Sequence, residues 1–403
     1  MIEHAGTCTI STLEKNEIRF KRGTSSYVYD DEGKRYIDFI LGFGPVIIGH
    51  AEEEFNQMIS RYLLNGIHFP SYSVYHEQFL ERLKDTGWSA FSFFKTSSEA
   101  ITATIRIAMA MTHKKGVVRC GFIGWHDVQI GNTIAWHEQP NSVLRNEVRF
   151  IQDFRGISGD ENVVNWASFD LDELESTLRK SQYCIFIIDA FQVHYSTIEI
   201  LQQALKICKK YGVLTVLDET KTSGRVRLMG ISEYYGIKTD FLIMGKAIAN
   251  GGPLSVLCGN NELSDNARVA RITGTFSKEC IGIYCALATL EIMDRRNGYV
   301  ILETVGNKFV RELNGIFKAA NVYNLIVAEE VFNGSMINLR FGEDIINNKT
   351  IRNAFRLCCA ENGILLLQGH PSFVCLAHQN LDIKEFRENT YRAVEQWKTI
   401  MKL

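Results

Sequence analysis

A chain of 403 residues that is 46% apolar can bury a large core and suggests two or three lobes. Its 44 basic and 46 acidic side chains leave a formal charge of −2 with no long run of either sign, which argues against a nucleic-acid or anionic-membrane surface. Ten cysteines are scattered without a Cys-x-x-Cys pair, the pattern of a reduced cytoplasmic protein in which no metal site is expected. The start, Met-Ile-Glu-His-Ala-Gly, has neither the basic nor the apolar region of a signal peptide. No apolar run reaches membrane-spanning length.

The first segments are Ile18–Gly23, Tyr27–Gly33 and Arg35–Phe39. Their alternation around Asp30-Asp-Glu-Gly33 predicts a small antiparallel sheet outside the main domain. Leu41-Gly-Phe-Gly-Pro-Val-Ile-Ile-Gly-His50 is too rich in glycine to be an element interior and suggests backbone passing close to a ligand or a partner chain. His50, just before a helix, is given a structural role. Phe91–Lys95 reads as a strand, and Thr96-Ser-Ser-Glu-Ala100 as the turn into an apolar helix that continues to Met111. Hydroxyls at a helix N-terminus make either an anion site or an ordinary N-cap.

Gly116–Cys120 is a further strand, followed by Gly121-Phe-Ile-Gly-Trp-His-Asp127, where an aromatic could stack on a planar cofactor or simply pack a loop. From about 135 to 170 the chain is polar and weakly periodic, an excursion above the sheet. Cys184–Ile188, ending at Asp189, is a buried strand. Ile198–Tyr211 is an amphipathic helix closed by Gly212, and Val213–Leu217 completes a parallel βαβ unit.

Val213-Leu-Thr-Val-Leu217 runs into Asp218-Glu219, and Phe241-Leu-Ile-Met-Gly runs into Lys246. The separation of 28 positions leaves room for one strand–helix crossover, so Asp218 and Lys246 can both sit at carboxyl ends of strands in one parallel sheet, where ligands of open α/β sheets bind. Burial lowers a lysine pKa towards the neutral amine that attacks a carbonyl. An amine able to form a Schiff base, facing a carboxylate able to hold a pyridinium nitrogen, is what pyridoxal phosphate chemistry requires.

Val256–Gly259 follows closely enough to pair antiparallel with the lysine's strand. Thr273-Gly-Thr-Phe-Ser277 precedes a long apolar helix from Ile281 to Met293. From Gly306 an amphipathic helix, three strand-like runs (Val327–Val331, Met336–Phe341, Ile364–Leu367) and a helix near Ile383–Met401 form a C-terminal α+β lobe. There is no internal repeat.

The stretch Val216-Leu-Asp-Glu-Thr-Lys-Thr-Ser-Gly-Arg225, with Gly245-Lys-Ala-Ile-Ala-Asn-Gly-Gly-Pro-Leu254, resembles the signature of class III aminotransferases. Gly42–His50, Gly121–Asp127 and Cys375–Ile383 resemble, more narrowly, the glutamate-semialdehyde aminomutase-like branch. The five segments occur in the right order from about residue 18 to the C-terminus. The resemblance implies a fold-type-I enzyme dependent on pyridoxal 5'-phosphate. It would have a mainly parallel seven-stranded sheet in a large domain (51–304) and a small α+β domain built from both chain ends (1–50 and 305–403). It also implies a homodimer with active sites at the subunit interface, and neither nucleic acid nor membrane as a partner.

Carried over residue by residue, Lys246 would form the internal aldimine and shuttle the substrate proton, and Asp218 would keep the pyridine nitrogen protonated. Ser97 and Ser98 would occupy the phosphate turn, where the family usually has Gly followed by Ser or Thr. Phe122 would stack on the ring in place of the usual Tyr. Thr275 would reach the phosphate of the neighbouring subunit's cofactor. Three departures fall on the substrate side: Ile123 where the family often has His, Thr220 where it has Val, and Asp189-Ala190 where it has Glu-Pro. The expected reaction moves an amino group from an amino donor, glutamate, to a small aldehyde, ketone or oxidised sugar derivative, possible pathways being polysaccharide or specialised-metabolite synthesis. The alternatives are an intramolecular aminomutase and, remotely, a non-catalytic protein that has kept the fold.

Overall fold

The structure is a computed structural model that describes residues 10–14, 17–126, 162–346, 348–367 and 370–402. Most of the polar excursion expected between 135 and 170, and Asp127, lie outside these. The chain divides into two compact units, Glu54–Tyr299, and residues up to Glu53 together with Val300–Leu403. Among the described residues no helix is long and apolar enough to cross a membrane, and nine cysteines are free and buried.

In the unit formed by the chain ends, β1 (Phe20–Thr24), β2 (Tyr27–Asp30) and β3 (Arg35–Asp38) make the expected antiparallel meander. The larger unit holds one seven-stranded sheet. Its strands are β4 (Ala90–Phe94), β5 (Gly116–Cys120), β6 (Val163–Asn165), β7 (Tyr183–Asp189), β8 (Leu214–Asp218), β9 (Phe241–Met244) and β10 (Ser255–Gly259). The order is β4-β10-β9-β8-β7-β5-β6. Strands β9, β8, β7, β5 and β6 pair in parallel, and β10 runs antiparallel to both of its neighbours. The mainly parallel sheet expected from the sequence is therefore present. Its edge strand β6 was not: it lies in the stretch read as an excursion, and three residues are too few to carry a periodicity.

The strands read as continuous apolar runs because both sheet faces are covered. Every residue of β7 and of β9 is buried. Along β9 the side chains alternate. Phe241 and Ile243 join the core beneath the Ser97–Thr112 helix with Ile101, Ile105 and Ile187. Leu242 and Met244 join the opposite core with Ile283 of the Ile281–Arg295 helix and Val256. The Ile198–Lys210 helix links β7 to β8 and is capped by the Thr197 hydroxyl, which accepts from the Ile200 N–H at 3.3 Å. Gly212 ends that connection in the left-handed region at φ 63°.

The chain-end unit is completed by β11 (Ile326–Val331), β12 (Met336–Phe341), β13 (Ile364–Leu365) and β14 (Ser372–Phe373). β13 extends the N-terminal meander in parallel with β3, and β11-β12-β14 form a second antiparallel sheet. The C-terminal helix Ile383–Met401 lies against Lys349–Glu361, where the Trp397 indole donates to the Ile351 carbonyl at 2.9 Å. The glycines of Leu41–His50 make close approaches, but to their own unit: a Cβ on Gly44 would meet the Phe373 ring at 2.9 Å, and one on Gly49 would meet Ala377 at 2.7 Å. His50 is tied to Asp38 at 2.8 Å, the structural role given to it.

Candidate active site

Three acidic or basic side chains arrive at one edge of the sheet because three neighbouring parallel strands end there. Asp189 closes β7 and Asp218 closes β8, and the two are register partners. Asp218 pairs in turn with Ile243 of β9, three residues before Lys246. This is the carboxyl edge at which open α/β sheets bind their ligands.

Lys246 is held in a left-handed backbone conformation, φ 48°, directly after β9. The segment is fixed from two sides. Gly245 donates its N–H to the Ser223 hydroxyl at 3.2 Å, and a Cβ on Gly245 would lie 2.6 Å from the Ser97 hydroxyl. The lysine's own backbone is thus brought beside the start of the Ser97–Thr112 helix by the absence of a side chain at 245. Burial, and next the charge of Lys221, pull the Lys246 amine from 10.5 down to about 8, against the attraction of Asp189 and Asp218.

Asp218 is buried, and burial together with the neighbouring charge of Asp189 pushes its carboxyl up to about 6. Thr220 opposes that rise: its N–H donates to Asp218 Oδ1 at 3.0 Å and its hydroxyl donates to the same oxygen. The hydroxyl that departs from the family pattern is therefore turned back onto the acid. The Thr220 methyl group is the part that faces Gly245, 3.5 Å from where a Cβ would stand.

The next residues form a buried turn that the sequence reading passed over. Glu219 accepts from the backbone N–H of Ile231 at 2.9 Å and of Ser232 at 2.7 Å, and also from the Thr222 hydroxyl. Lys221 reaches Asp189 Oδ2 at 2.5 Å. Its Nζ stands 5.9 Å from the centroid of the Phe122 ring and 5.4 Å from that of Phe191. Gln192 is buried close by, with its Oε1 unpaired; a Cβ on Gly121 would strike both Gln192 and Asp189. The available signal was four charged residues within Asp218–Arg225 immediately after an apolar strand, too many for a surface turn that packs inwards.

The serines sit at the helix entrance. Thr96 caps the helix in a reciprocal arrangement with Glu99. Ser97 and Ser98 follow as the first helical residues, where backbone N–H groups point outward. Ser98 Oγ accepts from the Trp125 N–H at 3.4 Å, and a Cβ on Gly124 would meet it at 2.9 Å, so the loop after β5 closes over this turn. Lys246, Asp218, Ser97, Ser98 and Phe122 are thereby gathered around one sheet edge. Thr275 is not among them within the chain. It lines a cavity of about 380 Å³ with Lys95, Arg106 and Lys278, and its carbonyl meets the His68 ring at 3.0 Å.

The donor set suits pyridoxal phosphate: an amine brought down to about 8 for the aldehyde, a carboxylate one strand away for the ring nitrogen, and a helix N-terminus with hydroxyls for the phosphate. The glycine cradles at 121, 124 and 245 leave backbone rather than side chains against these groups.

Relatives carry the same architecture. The glutamate-1-semialdehyde 2,1-aminomutase of Archaeoglobus fulgidus is 28% identical and aligns with 93% of this chain and 91% of its own length. The 2'-deamino-2'-hydroxyneamine transaminase of Streptomyces kanamyceticus is also 28% identical, over 71% of this chain and 69% of its own. Among solved structures, the FumI protein of Sphingopyxis in its PLP internal aldimine form superposes with a TM-score of 0.80 at 20% identity, covering 100% of this chain and 93% of that one. The aminotransferase class-III family model matches residues 10–385. With the fold of its transaminase neighbours and this match over nearly the whole length, the chain belongs to the class III aminotransferases, enzymes dependent on pyridoxal phosphate.

Proposed function

We propose that the enzyme moves an amino group from glutamate to a small carbonyl acceptor, an aldehyde, a ketone or an oxidised sugar derivative, with Lys246 and Asp218 as its catalytic residues. The observation that carries this reading is the convergence of a buried amine and a buried carboxylate on adjacent strand ends. A sugar-derived acceptor is supported by the likeness to the Streptomyces kanamyceticus enzyme, which is named as a transaminase of 2'-deamino-2'-hydroxyneamine.

Pyridoxal phosphate, when bound, supplies an aldehyde for the substrate nitrogen and a ring that takes up the electron pair of the substrate carbon. The chain's contributions are positional and protonic. Lys246 Nζ, neutral above about pH 8, takes the proton from the substrate carbon and returns it one position along. Asp218 holds a proton at the ring nitrogen. Ser97 and Ser98 receive the phosphate at the helix N-terminus, and Phe122 covers the ring. Thr275 serves the site of a second copy, so the active unit is a homodimer.

Adding glutamate to the loaded protein tests this directly: the cofactor band should shift and 2-oxoglutarate should accumulate in equal amount. Absence of both with every amino donor tried removes the transaminase reading. An aminomutase remains the second reading because a relative aligned with 93% of this chain carries that name. It requires product to form from a single amino aldehyde with no external amine consumed.

A further inference from the structure

The proposed chemistry makes the same demand on two groups of one buried pocket. Lys246 must lose its proton to act as a base, while Asp218, one strand away, must also lose its proton to carry a negative charge. Removing protons from both is easiest beside a fixed positive charge, because a nearby cation favours the less protonated form of an amine and of a carboxylic acid alike. A neighbouring anion does the reverse for both. Asp189 is such an anion, and its place as register partner of Asp218 is dictated by the sheet.

We propose that Lys221 is a positioning residue whose buried ammonium, clamped onto Asp189, sets the protonation of Lys246 and Asp218 together. The geometry is specific. The Nζ to Oδ2 distance is 2.5 Å, and the side chains are only 9% and 2% exposed. The pair is walled by the Phe122 and Phe191 rings. Gly121 lets it close, since a Cβ there would stand 2.6 Å from that of Asp189. The lysine reaches this place from three residues beyond Asp218, on a turn buried from Lys221 through Val226.

The charged groups that bear on Lys246 are Lys221, Asp189, Asp218 and Arg225, with Lys221 the strongest. Asp218 is raised by Asp189 and lowered by Lys221, and shares with Lys246 the attraction already named. Asp189 also faces the Cys120 thiol, which burial holds in its neutral form. Arg225 also lowers Lys246, less than Lys221 does. Lys221 pushes both groups the required way, and its bond to Asp189 neutralises an anion that pushes both the wrong way. This inference rests on the roles proposed for Lys246 and Asp218.

The test is a pH titration of the cofactor absorbance band in the full-length, loaded enzyme, since that band follows the proton on the Lys246 nitrogen. In Lys221→Met the midpoint should rise by about one unit or more, through loss of the cation and release of Asp189. In Asp189→Asn, where the cation is left uncompensated, it should fall. Lys221→Arg should stay near wild type. Opposite signs are the signature, because a merely structural pair would move both variants the same way or neither. If Lys221→Met does not load, Asp189→Asn decides alone: a midpoint that rises or stays overturns the proposal. Borohydride reduction and peptide mapping of the wild-type enzyme separate the two levels. A label on Lys246 with unmoved midpoints removes only the role of Lys221, whereas a label on another lysine removes the assignment of Lys246 as well.

Discussion

At the scale of the residue, Lys246 combines two costs that a structural lysine does not carry. Its ammonium form is disfavoured by burial, and its backbone sits at φ 48°. Both point to a role that repays them, and both can be measured. Lys246→Ala and Lys246→Gly should each abolish turnover with the fold retained, because the strand's packing does not use the amine. The glycine variant should be the more stable by about 1 kcal/mol, since only the alanine keeps a Cβ in the left-handed region. Equal melting temperatures would show that the backbone relaxes there. The unfolded chain keeps this proton up to about 10.5 and the folded chain only up to about 8. Stability of the cofactor-free protein should therefore rise between those pH values and carry the full penalty below them. Lys246→Met removes that slope, so its stabilising effect, of order 3 kcal/mol at pH 7, should fade above pH 8. Asp218→Asn should lower the rate by several orders of magnitude with the cofactor still bound, and an unchanged rate would mean that another acid holds the ring nitrogen.

At the scale of the element, the sequence exposed what lies along a strand and hid what lies across strands. The apolar runs of β7, β8 and β9 end in Asp189, Asp218 and Lys246, so the candidate edge was legible from where hydrophobicity stops. The clamp between Lys221 and Asp189 was not, because it depends on register between strands and on a turn folding inwards, neither of which has a period. The turn itself is organised by Glu219, whose two carboxylate oxygens each accept a backbone N–H from the start of the Ile231–Tyr235 helix. Burial pushes this carboxyl up to about 7 against those donors. Since both oxygens face donors, Glu219→Gln must set an amide NH₂ against an N–H. The expected loss is about 1–3 kcal/mol, read by thermal or urea melting, with a weakened cofactor site because the same turn holds Gly245. A fully stable variant would show that the carboxyl is already protonated and donating. Gly230 lets the carboxylate lie this close, since a Cβ there would fall 1.9 Å from Glu219 Oε2, at φ 71°.

At the scale of the whole molecule, the proposed homodimer assigns Thr275 to the site of a second copy rather than to that of its own Lys246. The surface around Thr275 has the character of a contact face. Residues 67–70 are stitched to 278–280 by the Cys280 N–H to Ile67 carbonyl bond at 2.9 Å and by Lys278 Nζ on the Pro70 carbonyl at 3.0 Å. On that platform Leu64 is 87% exposed, Phe276 61% and Tyr72 53%. Large exposed apolar side chains suit a contact face, and a second copy related by two-fold symmetry would present its own Thr275 in return. Subunit complementation tests this. Lys246→Ala homodimers should be inactive, and Thr275→Ala homodimers should bind the cofactor at least tenfold more weakly. Dissociating and reassembling equal amounts makes half the dimers mixed, and in each of these one site pairs an intact Lys246 with an intact Thr275. Activity should therefore recover to about a quarter of wild type. Recovery that never exceeds the mean of the two parents would place Thr275 in its own subunit's chemistry, or in none, and would remove the reason for a shared site.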